Sequence, residues 1–180
     1  TGLLEFEQEL LHRIARNEQI INLSQGIELI AGSCSHAHHN HTHSHAHGID
    51  PHIWCSPKSI GKMAENMHDA IAREMPDSTK YSDNYTSLYT KLLALDSEVS
   101  ALFSQSPRST FVIYHPALTY LARDYGLTQI SVEHEGKEPS AKRLAGIINN
   151  ARTKDIKRLF YQSTYPRSTV EVIADDIGTE

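Results

Sequence analysis

The first part of the chain alternates apolar stretches with one strongly polar stretch. Leu, Ile and Phe recur at near-helical spacing over residues 3–16, and the apolar run QIINL at 19–23 has the length of a short buried strand. From Ser33 to Gly48 almost no apolar residue occurs, and Ser, His, Ala, Asn and Gly dominate. This pattern predicts a helix, a strand and then a mobile loop at 33–48.

Two further helices are predicted before the middle of the chain. Ser56 and Pro57 are typical of an N-cap and a first helical residue, and apolar residues then recur every three or four positions to about Glu74. From Lys80 to about Gln105 no Gly or Pro interrupts the same spacing, which indicates one helix of about 25 residues. A helix of that length is suited to linking two lobes.

The second part of the chain alternates strand-like and helix-like patterns. Strands are predicted at 110–115, 127–133 and 158–163, and helices near 117–125, 140–152 and 167–176. This alternation is typical of βαβ units, so we expect an α/β fold with parallel strands centred on 110–114, 128–132 and 158–162. Ligands of such sheets usually bind at the carboxyl ends of the strands.

Charge and composition narrow the class of partner. The 180 residues include 17 basic and 22 acidic ones, for a net charge of −5, and no basic stripe with interleaved aromatic residues occurs. This excludes the usual pattern of nucleic-acid binding and favours a cation as the partner.

The chain begins without Met or a secretory signal pattern, so we interpret its natural start as removed. Its two cysteines, Cys34 and Cys55, are interpreted as unpaired thiols.

Histidines are concentrated in the predicted loop. Seven of them are interleaved with Ala, Asn, Thr and Ser: His36, His38, His39, His41, His43, His45 and His47. On a flexible segment, neighbouring imidazoles meet one cation in many arrangements, so they bind Zn²⁺, Ni²⁺ or Cu²⁺ weakly and without fixed geometry. An inert solvated loop and a purification tag are the alternatives.

Two other histidines occupy more ordered positions. His52 lies between Asp50-Pro51 and Ile53-Trp54, just before a capped helix, and His115 ends the apolar run FVIY. A strand end directs a side chain towards a ligand crevice, so His115 suits a metal ligand, whereas a histidine beside Trp is more often simply packed. Glu133, His134 and Glu135 follow a strand at the level of that crevice and are interpreted as loop residues, with metal or partner contact as the alternative. His12 and His68 are interpreted as surface residues.

An ordered set of motifs carries a family resemblance. DPHIWCSP at 50–57, FVIYHPALTYLARDYGL at 111–127 and EGKEPS at 135–140 follow a His-rich loop. In this order the chain resembles the zinc-binding periplasmic solute-binding proteins of bacterial ABC uptake systems over nearly its whole length. The resemblance implies two Rossmann-like βα lobes joined by a long helix, with Zn(II) held between them. His52 and His115 match two of the family's metal-binding histidines, and the remaining ligands are expected outside this chain.

The resemblance also implies a domain organisation and a role. Residues 1–77 would form part of an N-terminal lobe, 78–106 the connecting helix and 107–180 most of a C-terminal lobe, with both lobes incomplete. The expected function is capture of Zn(II), in the periplasm or on an extracytoplasmic membrane anchor, and its delivery to an ABC permease. Nitrogen at both matched positions favours zinc over manganese, which prefers oxygen ligands. Incomplete lobes leave homo-dimerisation through an exposed sheet edge open.

Two other functional classes remain as alternatives. A metallohydrolase could use a His-x-His pair of the loop, such as His41 and His43, but no general acid or base is spaced to serve such a pair. We therefore do not expect an enzyme. A surface adhesin or metal buffer would share the sequence features of a transport protein.

Overall fold

The computed structural model describes residues 10–11, 13–16, 20–32, 48–106, 109–133, 138–156, 158–165 and 167–178. They form two compact units: the first contains the described residues of 1–31 and 49–105, and the second contains those of 32–48 and 106–180. Residues 10–11 and 13–14 are helical, as predicted for this stretch. Within the described ranges, no helix has the length and apolar character needed to cross a membrane.

Two long helices dominate the first unit. Helix α1 runs from Pro57 to Glu74 and helix α2 from Thr79 to Ser104, as the sequence predicts. The two helices pack against each other. Ser56 occupies the N-cap position of α1 with an extended backbone, but its side chain makes no capping hydrogen bond to the helix and is fully buried instead.

The predicted strand at 19–23 is wrong over its described residues. Residues 20–22 have no regular structure, and a turn occupies 23–26. The side-chain amide of Asn66 in α1 donates hydrogen bonds to the carbonyl oxygens of Leu23 (2.8 Å) and Gln25 (2.9 Å). A strand needs a neighbouring strand to pair its backbone, and here a helix side chain supplies the partner for these carbonyl groups.

The ends of the His-rich segment are joined by backbone pairing. Ala31 and Ile49 form an isolated antiparallel bridge, and the Asp50 amide donates to the Ile30 carbonyl at 2.9 Å. The segment between them therefore leaves and re-enters the first unit at one place. The prediction of a mobile loop falls on residues 33–47, which include all seven loop histidines and lie outside the described residues.

The second unit contains a parallel sheet. Its strands are β1 (Thr110–Ile113), β2 (Thr128–Ser131) and β3 (Leu159–Phe160), in the order β2-β1-β3. Both pairings are parallel, with Val112 opposite Ile130 on one side and Leu159 on the other. The predicted parallel α/β arrangement is confirmed. Each strand ends two or three residues before its predicted end, at Ile113, Ser131 and Phe160.

Three helices accompany the sheet: α3 (Thr119–Asp124), α4 (Ala141–Thr153) and α5 (Arg167–Ile177). Ser140 caps α4 by accepting a hydrogen bond from the Arg143 amide at 3.3 Å. The core of this unit joins alternate residues of the strands to α4 and α5 and consists of Val112, Tyr114, Val132, Ile147, Ala151, Ile156, Val170, Ile173 and Ile177. The division of the chain into lobes at 77 and 106 stays a prediction.

Candidate metal centre

The carboxyl ends of the parallel strands bring polar side chains together. His115 lies two residues after β1, and Glu133 two residues after β2. The backbone continues to pair past the strand ends: the Tyr114 amide donates to the Phe160 carbonyl oxygen (2.8 Å), and the Glu133 amide donates to the Tyr114 carbonyl oxygen (2.9 Å). Residues after neighbouring parallel strands meet at one edge, which places these groups side by side.

His115 and Glu133 form a hydrogen-bonded pair. Nδ1 of His115 lies 2.8 Å from Oε2 of Glu133. The carboxylate side chain is 9% exposed and the imidazole 29%. A carboxylate only accepts when ionised, so Nδ1 donates and the lone pair of the neutral ring is on Nε2. Such a pair is the usual arrangement of a histidine that binds metal through Nε2.

The segment after β3 completes this cluster. The Tyr165 hydroxyl donates to the same Oε2 of Glu133 at 3.0 Å, and its ring stacks on the imidazole of His115 with centroids 5.9 Å apart. The side-chain amide of Gln162 donates to the backbone carbonyl of His115 at 3.3 Å. Burial, and then the hydrogen bond to Glu133, raise the pKa of Tyr165 to about 12, so the hydroxyl remains a donor at neutral pH.

The first unit contains a second histidine–carboxylate pair. Nδ1 of His52 lies 2.7 Å from Oδ1 of Asp50, and the same oxygen accepts the His52 backbone amide at 2.9 Å. The imidazole is 19% exposed and the carboxylate 10%. The two contacts to one carboxylate oxygen set both the backbone turn and the ring orientation, again with Nδ1 as donor and the lone pair on Nε2.

A short 3-10 helix, Ile53–Cys55, follows His52 and anchors it. Ile53 is 2% exposed, and the Cys55 amide donates to the His52 carbonyl at 3.0 Å. The ring of Trp54, itself half exposed, meets the imidazole edge-on at 5.6 Å between centroids. Cys55 is a free thiol, and burial and then the Asp50 charge raise its pKa.

Each proposed ligand thus has its own carboxylate, and the two pairs belong to different units. The described residues contain no group of three or more His, Cys, Asp or Glu side chains placed to hold one metal ion. The seven loop histidines, His36 to His47, are outside those residues. His68 lies in α1 and stacks on Tyr85 with centroids 4.3 Å apart, in line with a packed surface residue rather than a ligand.

Sequence reasoning missed the partners of the histidines. Glu133 lies in the loop after β2, as the sequence predicts, but its side chain is buried and accepts two side-chain hydrogen bonds. Its position two residues after a strand, level with His115, was an available signal. Asp50 precedes His52 by two residues, which is the spacing of an Asx turn and was another signal. Nothing in the sequence pattern singled out Tyr165.

A comparison with protein families identifies the family of this chain. A family model described as "Zinc-uptake complex component A periplasmic" (ZnuA) matches residues 2–180. The chain belongs to this family. The ZnuA family consists of components of zinc transport and is not a family of enzymes, and the resemblance drawn from the motifs is confirmed.

Curated relatives and solved structures agree with this assignment. ZnuA of Bacillus subtilis (strain 168), described as a high-affinity zinc uptake system protein, is 32% identical over 165 residues, which are 89% of this chain and 52% of that protein. The zinc-binding protein AdcA of Streptococcus pyogenes serotype M1 is 31% identical over 134 residues, which are 73% of this chain and 26% of AdcA. The chain therefore spans about half or less of the length of these relatives.

Solved ZnuA structures share the fold. One crystal structure of ZnuA superposes with a TM-score of 0.81 at 30% identity and covers 99% of this chain and 67% of that one. A zinc-bound deletion mutant of ZnuA gives the same TM-score and identity and covers 99% of this chain and 66% of the other. The α/β fold class is confirmed by these ZnuA structures.

Proposed function

We propose that this chain is part of a protein that captures Zn(II) outside the cytoplasm, in the periplasm or on a membrane anchor, and delivers it to an ABC permease. His52 and His115 supply Nε2 to the zinc ion. Zinc is the transported cargo, and no chemical step on another molecule is involved. The observation that carries the proposal is the pair of histidine–carboxylate contacts, because each fixes the tautomer that binds metal through Nε2.

The two histidine–carboxylate pairs also support zinc over other cations. Zinc binds imidazole nitrogen at about 2.0 to 2.1 Å, commonly with four ligands, and a carboxylate on the other ring nitrogen raises the basicity of the imidazole. Manganese prefers oxygen ligands, so two histidines favour zinc. Two nitrogens leave coordination positions for further ligands, which we expect in the remainder of the protein.

The seven histidines from His36 to His47 are proposed as a separate, weak collecting surface. Their alternation with small residues provides many equivalent arrangements and none of fixed geometry. They have no proposed role in catalysis, and we propose no nucleic-acid partner for an acidic chain without a basic stripe. Self-association through a sheet edge remains open to measurement by light scattering.

Single alanine substitutions in the full protein test the ligand assignment. Zinc affinity is measured by competition with a chelator that keeps free zinc too low for the loop histidines to fill. His52→Ala and His115→Ala should each weaken zinc binding by more than about 100-fold, the upper range for loss of a carboxylate that orients a metal-bound histidine. His68→Ala, which removes a histidine stacked on Tyr85, is the control and should have little effect.

Growth in zinc-poor medium tests the transport role. A strain that lacks its own zinc-binding component should grow with the full protein and fail with His52→Ala or His115→Ala. Unchanged tight binding in either variant would remove that residue from the site. Tight binding without any support of growth would favour a metal buffer or adhesin over a transport component.

A further inference from the structure

The segment after β3 contacts His115 at both its backbone and its side chain. Gln162 holds the His115 carbonyl oxygen through its side-chain amide, 3.3 Å away. Tyr165 stacks on the imidazole and donates to Glu133, the carboxylate that accepts from Nδ1 of the ring. One short stretch, 161–165, thus contacts the histidine and its carboxylate partner together.

The stretch is itself held in place by the core. The Tyr165 amide donates to the Gln162 carbonyl at 3.0 Å, which closes a turn between the two contacting residues. The Tyr165 ring packs on that of Tyr114, with centroids 4.7 Å apart, and Tyr114 is a buried member of the core. The hydroxyl of Tyr165 is therefore presented to Glu133 from a fixed position.

From this geometry we infer that Tyr165 is a positioning residue for the zinc site, acting on His115 through Glu133. The inference rests on the proposed role of His115 as a ligand. Oε2 of Glu133 accepts from both Tyr165 and His115, so the hydroxyl restricts the carboxylate to the orientation that meets Nδ1. Groups that orient a metal-bound histidine change metal affinity without touching the metal.

Packing of the ring alone does not account for the hydroxyl of Tyr165. A phenylalanine ring would fill the same space between Tyr114 and His115, whereas only the hydroxyl meets the buried carboxylate. Glu133 is 7% exposed, and a buried carboxylate is stabilised by each added donor. Tyr165→Phe therefore separates orientation of the carboxylate from packing of the ring.

The test compares two identical substitutions in the full protein. Tyr165→Phe removes the hydroxyl next to Glu133, and Tyr161→Phe, four residues earlier on an exposed side chain, is the matched control. Zinc affinity is measured by chelator competition, and the melting temperature of each metal-free variant by circular dichroism. We expect Tyr165→Phe to weaken zinc binding about tenfold, in the range for groups that orient metal-bound histidines, and Tyr161→Phe to leave it unchanged.

A double-mutant cycle identifies the route of the effect. If Tyr165 acts through Glu133, Tyr165→Phe should have no further effect on zinc affinity in a Glu133→Ala background, because the acceptor is already absent. An equal loss of affinity in both backgrounds would overturn the inference. If Glu133→Ala does not fold, the comparison of Tyr165→Phe with Tyr161→Phe still decides.

The outcomes separate this inference from the proposed function. Unchanged zinc affinity in Tyr165→Phe, with strong weakening in His115→Ala, overturns the positioning role and leaves the ligand assignment intact. A lower melting temperature with unchanged affinity assigns Tyr165 a purely structural role and also overturns it. Unchanged affinity in His115→Ala would refute the ligand assignment and the positioning role with it.

Discussion

One carboxylate oxygen of Asp50 binds His52 twice, at the backbone amide (2.9 Å) and at Nδ1 of the ring (2.7 Å). The two contacts couple the turn of the chain to the direction of the imidazole. Glu133 contacts only the ring of His115, from the segment after β2, and accepts a second hydrogen bond from Tyr165. The two proposed ligands are thus oriented by unrelated local structures that produce the same tautomer.

Asp50→Asn tests the charge of this contact. An asparagine oxygen can still accept both hydrogen bonds, but the neutral amide no longer places a negative charge beside the ring of the proposed ligand. We expect zinc affinity to fall about tenfold with little change in melting temperature. Chelator competition in the full protein measures this. Asp77→Asn, the same charge change on an exposed residue, should leave affinity unchanged, and an equal loss in both variants would point to a general charge effect instead.

Cys55 provides a test of the environment of the same turn. Burial, followed by the negative charge of Asp50, raises the pKa of its thiol. Alkylation requires the thiolate, and a raised pKa reduces the thiolate fraction at neutral pH. In a Cys34→Ser background, iodoacetamide should therefore react with Cys55 more slowly at pH 7.5 than with a small free thiol. The rate should keep rising with pH beyond the point at which the free thiol levels off.

Removal of the Asp50 charge provides the control for the thiol measurement. Asp50→Asn should speed alkylation of Cys55 only modestly, because burial is the larger cause of the raised pKa. If Cys55 reacted faster than the small free thiol while Asp50 was still present, the Cys55 thiol would be activated, contrary to the structure.

Two valines of α5 form a matched pair for stability. Val170 is 4% exposed and belongs to the core, whereas Val172, two residues on, is 62% exposed. Val170→Ala should lower the free energy of unfolding by about 1–3 kcal/mol, because it removes buried methyl groups and leaves a cavity. Val172→Ala should stay within about 0.5 kcal/mol of the unsubstituted protein. Urea unfolding measures both, and equal effects would contradict the assigned orientation of α5.

Regular periodicity explains which parts of the fold could be predicted. The long helix Thr79–Ser104 and the parallel strands around Val112 follow from apolar spacing and from the alternation of strands with helices. The run at 19–23 has the composition of a strand, but pairing depends on a neighbour far along the chain. Asn66 replaces that neighbour with side-chain hydrogen bonds, which no local pattern reveals.

In the site, too, the residues recognisable from the local sequence differ from those whose role depends on distant contacts. His115 is recognisable because it follows an apolar strand, and His52 because it stands in a motif with Asp50 close by. The role of Glu133 depends on β1 and β2 being neighbours, and that of Tyr165 on the loop after β3 turning back over His115. Glu133 follows His115 by 18 positions in the sequence, and the parallel pairing of β1 with β2 brings the two residues together.

Deletion of residues 35–47 tests whether the collecting loop and the tight site are independent. The bridge between Ala31 and Ile49 and the hydrogen bond from Asp50 to Ile30 lie outside the deleted segment. Four residues would then join the bridged positions, a length that suits a hairpin connection. We expect fewer zinc ions bound at high zinc concentration in equilibrium dialysis, and unchanged affinity of the tight site in chelator competition.

A variant of full length with the seven loop histidines changed to Ser should behave in the same way. Loss of tight binding in both variants would mean that loop histidines are ligands of the tight site, and loss in the deletion alone would mean that the loop supports the turn at His52.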